Sequence, residues 1–270
     1  MTPDIQIARF FDSPELKAKI QERIDSFSIC TTSLIVRQEF KRRVMKEAKY
    51  LLSCIQRLGS FSKVRRWVDS VLPTQMNRKR NICLELLDTV GEVDHEKESD
   101  KDTTDRAKLM LEGLIEFGMS DFDNSVDFTY SDSGCACAQE PVRIDADGRV
   151  SLGKDKCSQV ANDCRVAAFL SKNTDAMSRV RDAIKNASPA DLTEELNRSR
   201  AFIEEFLADP KNVESRNPCS TVGDLLIALE SQAVKEFYTL NEKESKTLCP
   251  CFGQSLIVRP KNYVHPDKLI

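Results

Sequence analysis

Residues 220–260, STVGDLLIALESQAVKEFYTLNEKESKTLCPCFGQSLIVRP, carry the pattern that decides the fold. The apolar runs EFYTL (236–240) and QSLIV (254–258) lack polar alternation, as strands buried on both faces require. A helical pattern precedes each run. Ser220 is positioned to cap TVGDLLIALESQA, and NEKESKTLC (241–249) reads as a short helix between the strands. Helix–strand–helix–strand with continuous apolar strands predicts an α/β fold with a parallel central sheet flanked by helices.

Toward the N-terminus the pattern is mainly helical. Ser13-Pro14-Glu15 marks a helix start, with Ser13 as N-cap, running to about Ile24. SFSICT (26–31) alternates like a short strand. Thr32 or Ser33 then caps a helix with apolar residues at Leu34, Val36, Phe40, Val44, Ala48, Leu51 and Leu52, closed by Gly59. FSKVRRWVDSVL (61–72) and NRKRNICLELLDTV (77–90) read as two more helices, with Pro73 between them. Residues 91–105, GEVDHEKESDKDTTD, hold seven acids against two lysines and no apolar period, the composition of a linker. RAKLMLEGLIEFG (106–118) reads as an amphipathic helix ending at Gly118. From Met119 to about Asp163, Ser, Asp and Gly replace long apolar residues, and in VRIDADGRVSL (142–152) Asp147-Gly148 predicts a hairpin. Helical patterns return at 174–187 and 191–207.

Hydrophobic content of 40% and charged content of 31% are those of a globular protein. No apolar run has the length of a membrane span, and MTPDIQIARFF lacks the features of a signal peptide, so the expected location is cytoplasmic. There the ten cysteines are expected to be reduced. Two histidines, His95 and His265, leave acid–base chemistry to carboxylates or a metal. Between Arg37 and Arg80, thirteen Lys and Arg stand against three acids. That block reads either as a footprint for a phosphate backbone or as the wet faces of amphipathic helices.

The C-terminal stretch resembles the end of a PIN domain. Its Gly223-Asp224-Leu225-Leu226-Ile227-Ala228, Tyr238-Thr239-Leu240-Asn241-Glu242 and Leu256-Ile257 fall in the order of that family's closing motifs, G-D-x-x-I-A, T-x-N-D and a final L-I strand. Upstream, SFSICTTSLIVRQEF puts Glu39 where the family has a helix glutamate. The resemblance implies a three-layer α/β/α nuclease, its acids gathering Mg²⁺ or Mn²⁺ at the carboxyl edge of the sheet to hydrolyse RNA phosphodiesters. Carried over by position, Glu39, Asp224 and Glu242 become metal ligands, Asn241 joins the fourth corner, and Asp4 is the candidate for the first acid. Only Met-Thr-Pro precedes Asp4, which cannot build a central strand, so the first strand is expected to be absent or truncated. The resemblance therefore leaves two functions open, a metal-dependent ribonuclease and an inactive PIN-like module that binds RNA or a protein partner. On this reading residues 1–90 and 173–270 are two parts of one PIN-like domain. Residues 91–172 are an acidic linker and a cysteine-containing insertion, and the oligomeric state is open.

The candidate acids also have plainer readings. Glu39 lies among Arg37, Lys41 and Arg42 and reads equally as a surface ion-pair partner. Asp224 suits a helix dipole, and Asn241-Glu242 suits an N-cap and first turn. Within the insertion, Cys135, Cys137, Cys157 and Cys164 offer four thiolates for a zinc ion, although their spacing departs from the usual knuckles. Cys30, Cys54 and Cys83 fall on apolar positions and read as small buried hydrophobes, and Cys249-Pro250-Cys251 reads as packing.

Overall fold

The computed structural model describes residues 2, 5, 9, 14–71, 77–91, 99–139, 141–147, 149–153, 163–211, 218–239 and 241–258. The chain is mostly helical, with short strands of which two pairs are parallel and one is antiparallel. Helix α1 (Pro14–Asp25) leads to strand β1 (Thr31–Ser33) and helix α2 (Leu34–Phe40). Ser33 caps α2, its hydroxyl accepting the Val36 N–H at 3.2 Å. The same rod continues through a π-turn (Lys41–Met45) into α3 (Lys46–Leu58), which Gly59 closes in the left-handed conformation (φ 61°). Helices α4 (Phe61–Val71) and α5 (Asn77–Gly91) follow at the expected positions.

Helix α6 (Asp100–Asn124) departs from expectation at both ends. Residues 100–105 are its first turns, because Ser99 accepts the Asp102 N–H at 3.3 Å and acids crowd the positive end of the helix dipole. Gly118 does not end it. A Cβ at Gly118 would lie 2.8 Å from Met45 Cε, so the glycine serves close packing of α6 on the π-turn. Beyond α6, strand β2 (Phe128–Tyr130), which the sequence reading missed, pairs parallel with β1, Thr32 opposite Thr129. The predicted hairpin is present as β3 (Arg143–Ile144) against β4 (Val150–Ser151), with a short helix α7 (Ala136–Gln139) before it.

The C-terminal half contains α8 (Val166–Lys172), α9 (Thr174–Asn186), α10 (Glu194–Ala208), α11 (Pro218–Thr221) and α12 (Gly223–Glu230). Ser220 therefore lies within α11 rather than capping the helix that carries Asp224. Strand β5 (Glu236–Thr239), helix α13 (Glu242–Leu248), a 3₁₀ turn (Cys249–Phe252) and strand β6 (Ser255–Val258) complete the order. β5 and β6 pair in parallel over four residues, Phe237 opposite Leu256. Among the described residues the strands form three two-stranded sheets and not one continuous sheet.

Three apolar clusters hold these elements. One joins α3, α4, α5 and the first half of α6 through Leu51, Val64, Leu86 and Leu111. The largest joins α2, the end of α6, α8–α10, α12 and β5 through Phe40, Phe122, Ile203, Leu226 and Phe237. In the third, Ile5 and the apolar side of α1 pack with both Cys30, just before β1, and Tyr238 of β5. Thr2 Oγ1 hydrogen-bonds to Thr239 Oγ1 of β5 at 3.2 Å. Among the described residues no helix is long and apolar enough to cross a membrane.

Candidate functional site

Asp224 and Asn241 border one small cavity at the carboxyl end of β5, together with Thr2, Thr239, Phe237 and Ser245. The local sequence explains the arrangement. Asp224 sits in the first turn of α12, where an acid suits the helix dipole. Asn241 follows β5 directly, and its N–H donates to Thr239 Oγ1 at 2.9 Å, turning the chain into α13. The cavity is about 20 Å³, room for one water, and is lined mainly by Ile227, Ala228, Phe237, Leu248 and other apolar groups.

The other predicted acids are elsewhere. Glu39 forms an ion pair with Arg43 one turn along the same rod. Glu242 is exposed in the first turn of α13 and does not line the cavity. Asn241 takes the N-cap position of α13 without a side-chain capping bond. Asp4 lies outside the described residues. A hard divalent cation needs several oxygen ligands converging on one point. Of the predicted acids among the described residues Asp224 alone faces the cavity, and no three His, Cys, Asp or Glu side chains there are grouped to hold a metal. The donor set as described does not fit Mg²⁺ or Mn²⁺.

The cysteines of the insertion are packed inward. Cys135 and Cys137 are buried in the largest cluster, and Cys164 is half-buried against it. The Arg165 N–H donates to the Gly134 carbonyl at 3.2 Å, setting the two cysteine-bearing segments side by side. Cys157 lies outside the described residues, as do His95 and His265. Cys30, Cys54 and Cys83 are buried as expected, and Cys249 is buried under α9.

Much of the basic block is consumed within the chain. Arg37 grips Asp123 with two hydrogen bonds, 2.8 and 2.9 Å, and also donates to the Ala138 carbonyl. Buried Lys41 donates to the Cys137 carbonyl at 3.2 Å. Arg65, Lys79 and Arg80 pair with Asp88, Glu47 and Asp69, and Arg57 lies over the Trp67 ring. Arg42, Lys46 and Lys49 form no ion pair among the described residues. They recur at i, i+4 and i+7 along one side of the α2–α3 rod.

One carboxylate escaped the sequence reading. Glu230, the last residue of α12, is buried where the carboxyl ends of β1 and β2 converge. It accepts the Ser133 N–H at 2.9 Å and the Ile35 N–H at 3.4 Å, the latter at the amino end of α2. Burial pushes its carboxyl up, against the pull of Ser133, Ser33 and the Ile35 N–H. A signal was available: an acid ending the apolar run LLIALE opposes the helix dipole and needs a partner outside its own helix.

Comparison with protein-family models, with curated proteins and with solved structures finds no match for this chain.

Proposed function

We propose that this chain is a PIN-like module that binds single-stranded RNA without cutting it. The observation that carries the reading is the ridge of Arg42, Lys46 and Lys49, three cations at helical spacing left over after intramolecular pairing has absorbed their neighbours. On this reading the two parallel pairs are halves of the central sheet of a three-layer α/β/α fold. The apolar cluster that joins Ile5 and α1 to Cys30 and to Tyr238 of β5 supports it. The pairing of Glu39 with Arg43, and a cavity of one water in which Asp224 is the one acid among the described residues, favour binding over hydrolysis.

A second reading, metal-dependent RNA cleavage, is favoured by one observation, the cavity that Asp224 and Asn241 both border at a strand's carboxyl end. One experiment separates the two. A labelled single-stranded RNA is incubated with the chain and Mn²⁺, then followed both by anisotropy and on a denaturing gel. Binding of intact RNA that weakens on reversing Arg42, Lys46 and Lys49 to Glu supports the module. RNA fragments that vanish with Asp224→Asn support the nuclease.

A further inference from the structure

Helix α6 is apolar on two sides. One side is buried through Ala107, Leu111, Ile115 and Phe122. The other carries Leu109, Phe117 and Met110 in the open, at 70%, 56% and 40% exposure. At 3.6 residues per turn, Leu109, Gly113 and Phe117 fall in one row with Met110 at its edge. Scattered exposed apolar residues are ordinary, but a contiguous row marks an interface.

Gly113 is the midpoint of this row. A Cβ there would meet no atom of the described residues within 4 Å, so their packing gives no reason for a glycine, which weakens a helix interior. Gly118, five residues on, has its reason in Met45. A mid-helix glycine between large apolar residues at −4 and +4 lets a second backbone approach closely while those side chains pack around the crossing.

We propose that this face binds a second copy of the chain, the two α6 helices crossing antiparallel at Gly113. The row is self-complementary, as a two-fold interface requires. A two-fold axis at Gly113 brings Leu109 onto the partner's Phe117, and the reverse. The outer charges obey the same axis. Lys108 and Glu116 lie on one flank of the row, so Lys108 comes beside the partner's Glu116, giving two ion pairs across the crossing. Glu112, between them on that flank, comes near its own copy at the centre. Within its own chain Lys108 reaches Glu112 only at 3.9 Å, both side chains well exposed. Exposed polar residues, Asp102, Ser120 and Asn124, bound the row at either end. An unrelated partner would need none of this symmetry. One helix pair is smaller than the standard interface of about 1,600 Å², so a micromolar dimer is expected.

Sedimentation of the full chain from about 1 to about 200 µM tests this, with circular dichroism confirming that each variant is folded. The mass is expected to move from one chain to two across that range. Phe117→Glu should stay monomeric throughout. Lys108→Glu should weaken the dimer at least about tenfold, and adding Glu116→Lys should restore it. A parent that stays monomeric, a Phe117→Glu variant that still dimerises, or a double variant that fails to recover overturns the proposal.

Discussion

Glu230 accepts the Ser133 N–H at 2.9 Å, so the last residue of α12 holds the chain leaving β2 beside the start of α2. Three segments distant in sequence meet on one buried carboxylate. Glu230→Ala would leave the Ser133 and Ile35 N–H groups without that acceptor in the interior. The expected loss is about 2–4 kcal/mol of unfolding free energy, read from urea midpoints. A change below about 0.5 kcal/mol would mean that water replaces the carboxylate freely.

The same carboxylate sets a pH dependence. Burial raises Glu230 above its ordinary 4.5, and burial raises Glu47 as well, there opposed by Lys79. A carboxyl raised on folding holds its proton more tightly in the folded state. Its contribution to stability is therefore greatest when it is protonated, and is lost as pH rises from near 4.5 through the raised value. Asp100, lowered by Ser62 and Ser60, acts in the opposite sense and only below its ordinary 3.8. The urea midpoint should fall as pH rises from near the ordinary 4.5 of these carboxyls, and Glu230→Gln should flatten part of that fall. A parent midpoint that rises with pH above that value would contradict the assignment.

Gly134 combines a φ of 56° with a Cβ position 2.7 Å from Arg165 Cβ, so both conformation and space demand glycine. Gly134→Ala is expected to cost about 1–3 kcal/mol by strain and displacement of the 164–165 segment. Thermal unfolding of the two proteins side by side reads this directly, and equal midpoints would refute it.

Burial pushes the Cys83 thiol and the Cys249 thiol up to about 12. Thiolate, not thiol, is the nucleophile. Both residues should resist iodoacetamide at neutral pH in the folded protein and react once it is denatured. Mass mapping of the alkylated peptides checks this, and prompt native labelling at either site would show the core to be open.

The local elements were legible where one sequence period ruled. The apolar runs of β5 and β6, the Ser33 cap, the Gly59 stop and the 142–152 hairpin all follow from residues close in sequence. Helix α6 was misread at both ends because its first turns are charged and Gly118 resembles a stop signal. The reason for that glycine, Met45, lies far away in sequence. β2 was missed because three residues carry too little period, and its pairing with β1 is long-range. The site was legible only in pieces. Asp224 and Asn241 border one cavity at a strand end, whereas Glu39 turns to Arg43, a partner the helical spacing already offered. The place of Glu230 at the end of an apolar helix signals a need for a partner, but the partners are backbone N–H groups, which no sequence displays.

The most direct test of the RNA-binding account is titration of a labelled single-stranded RNA with the full chain, with Mn²⁺ present, across a range of salt. The account predicts intact RNA bound with a log-affinity against log-salt slope of about −2, from three phosphate contacts, and loss of binding when Arg42, Lys46 and Lys49 are reversed to Glu. Binding that ignores those reversals, or RNA cut by the parent and spared by Asp224→Asn, would contradict it.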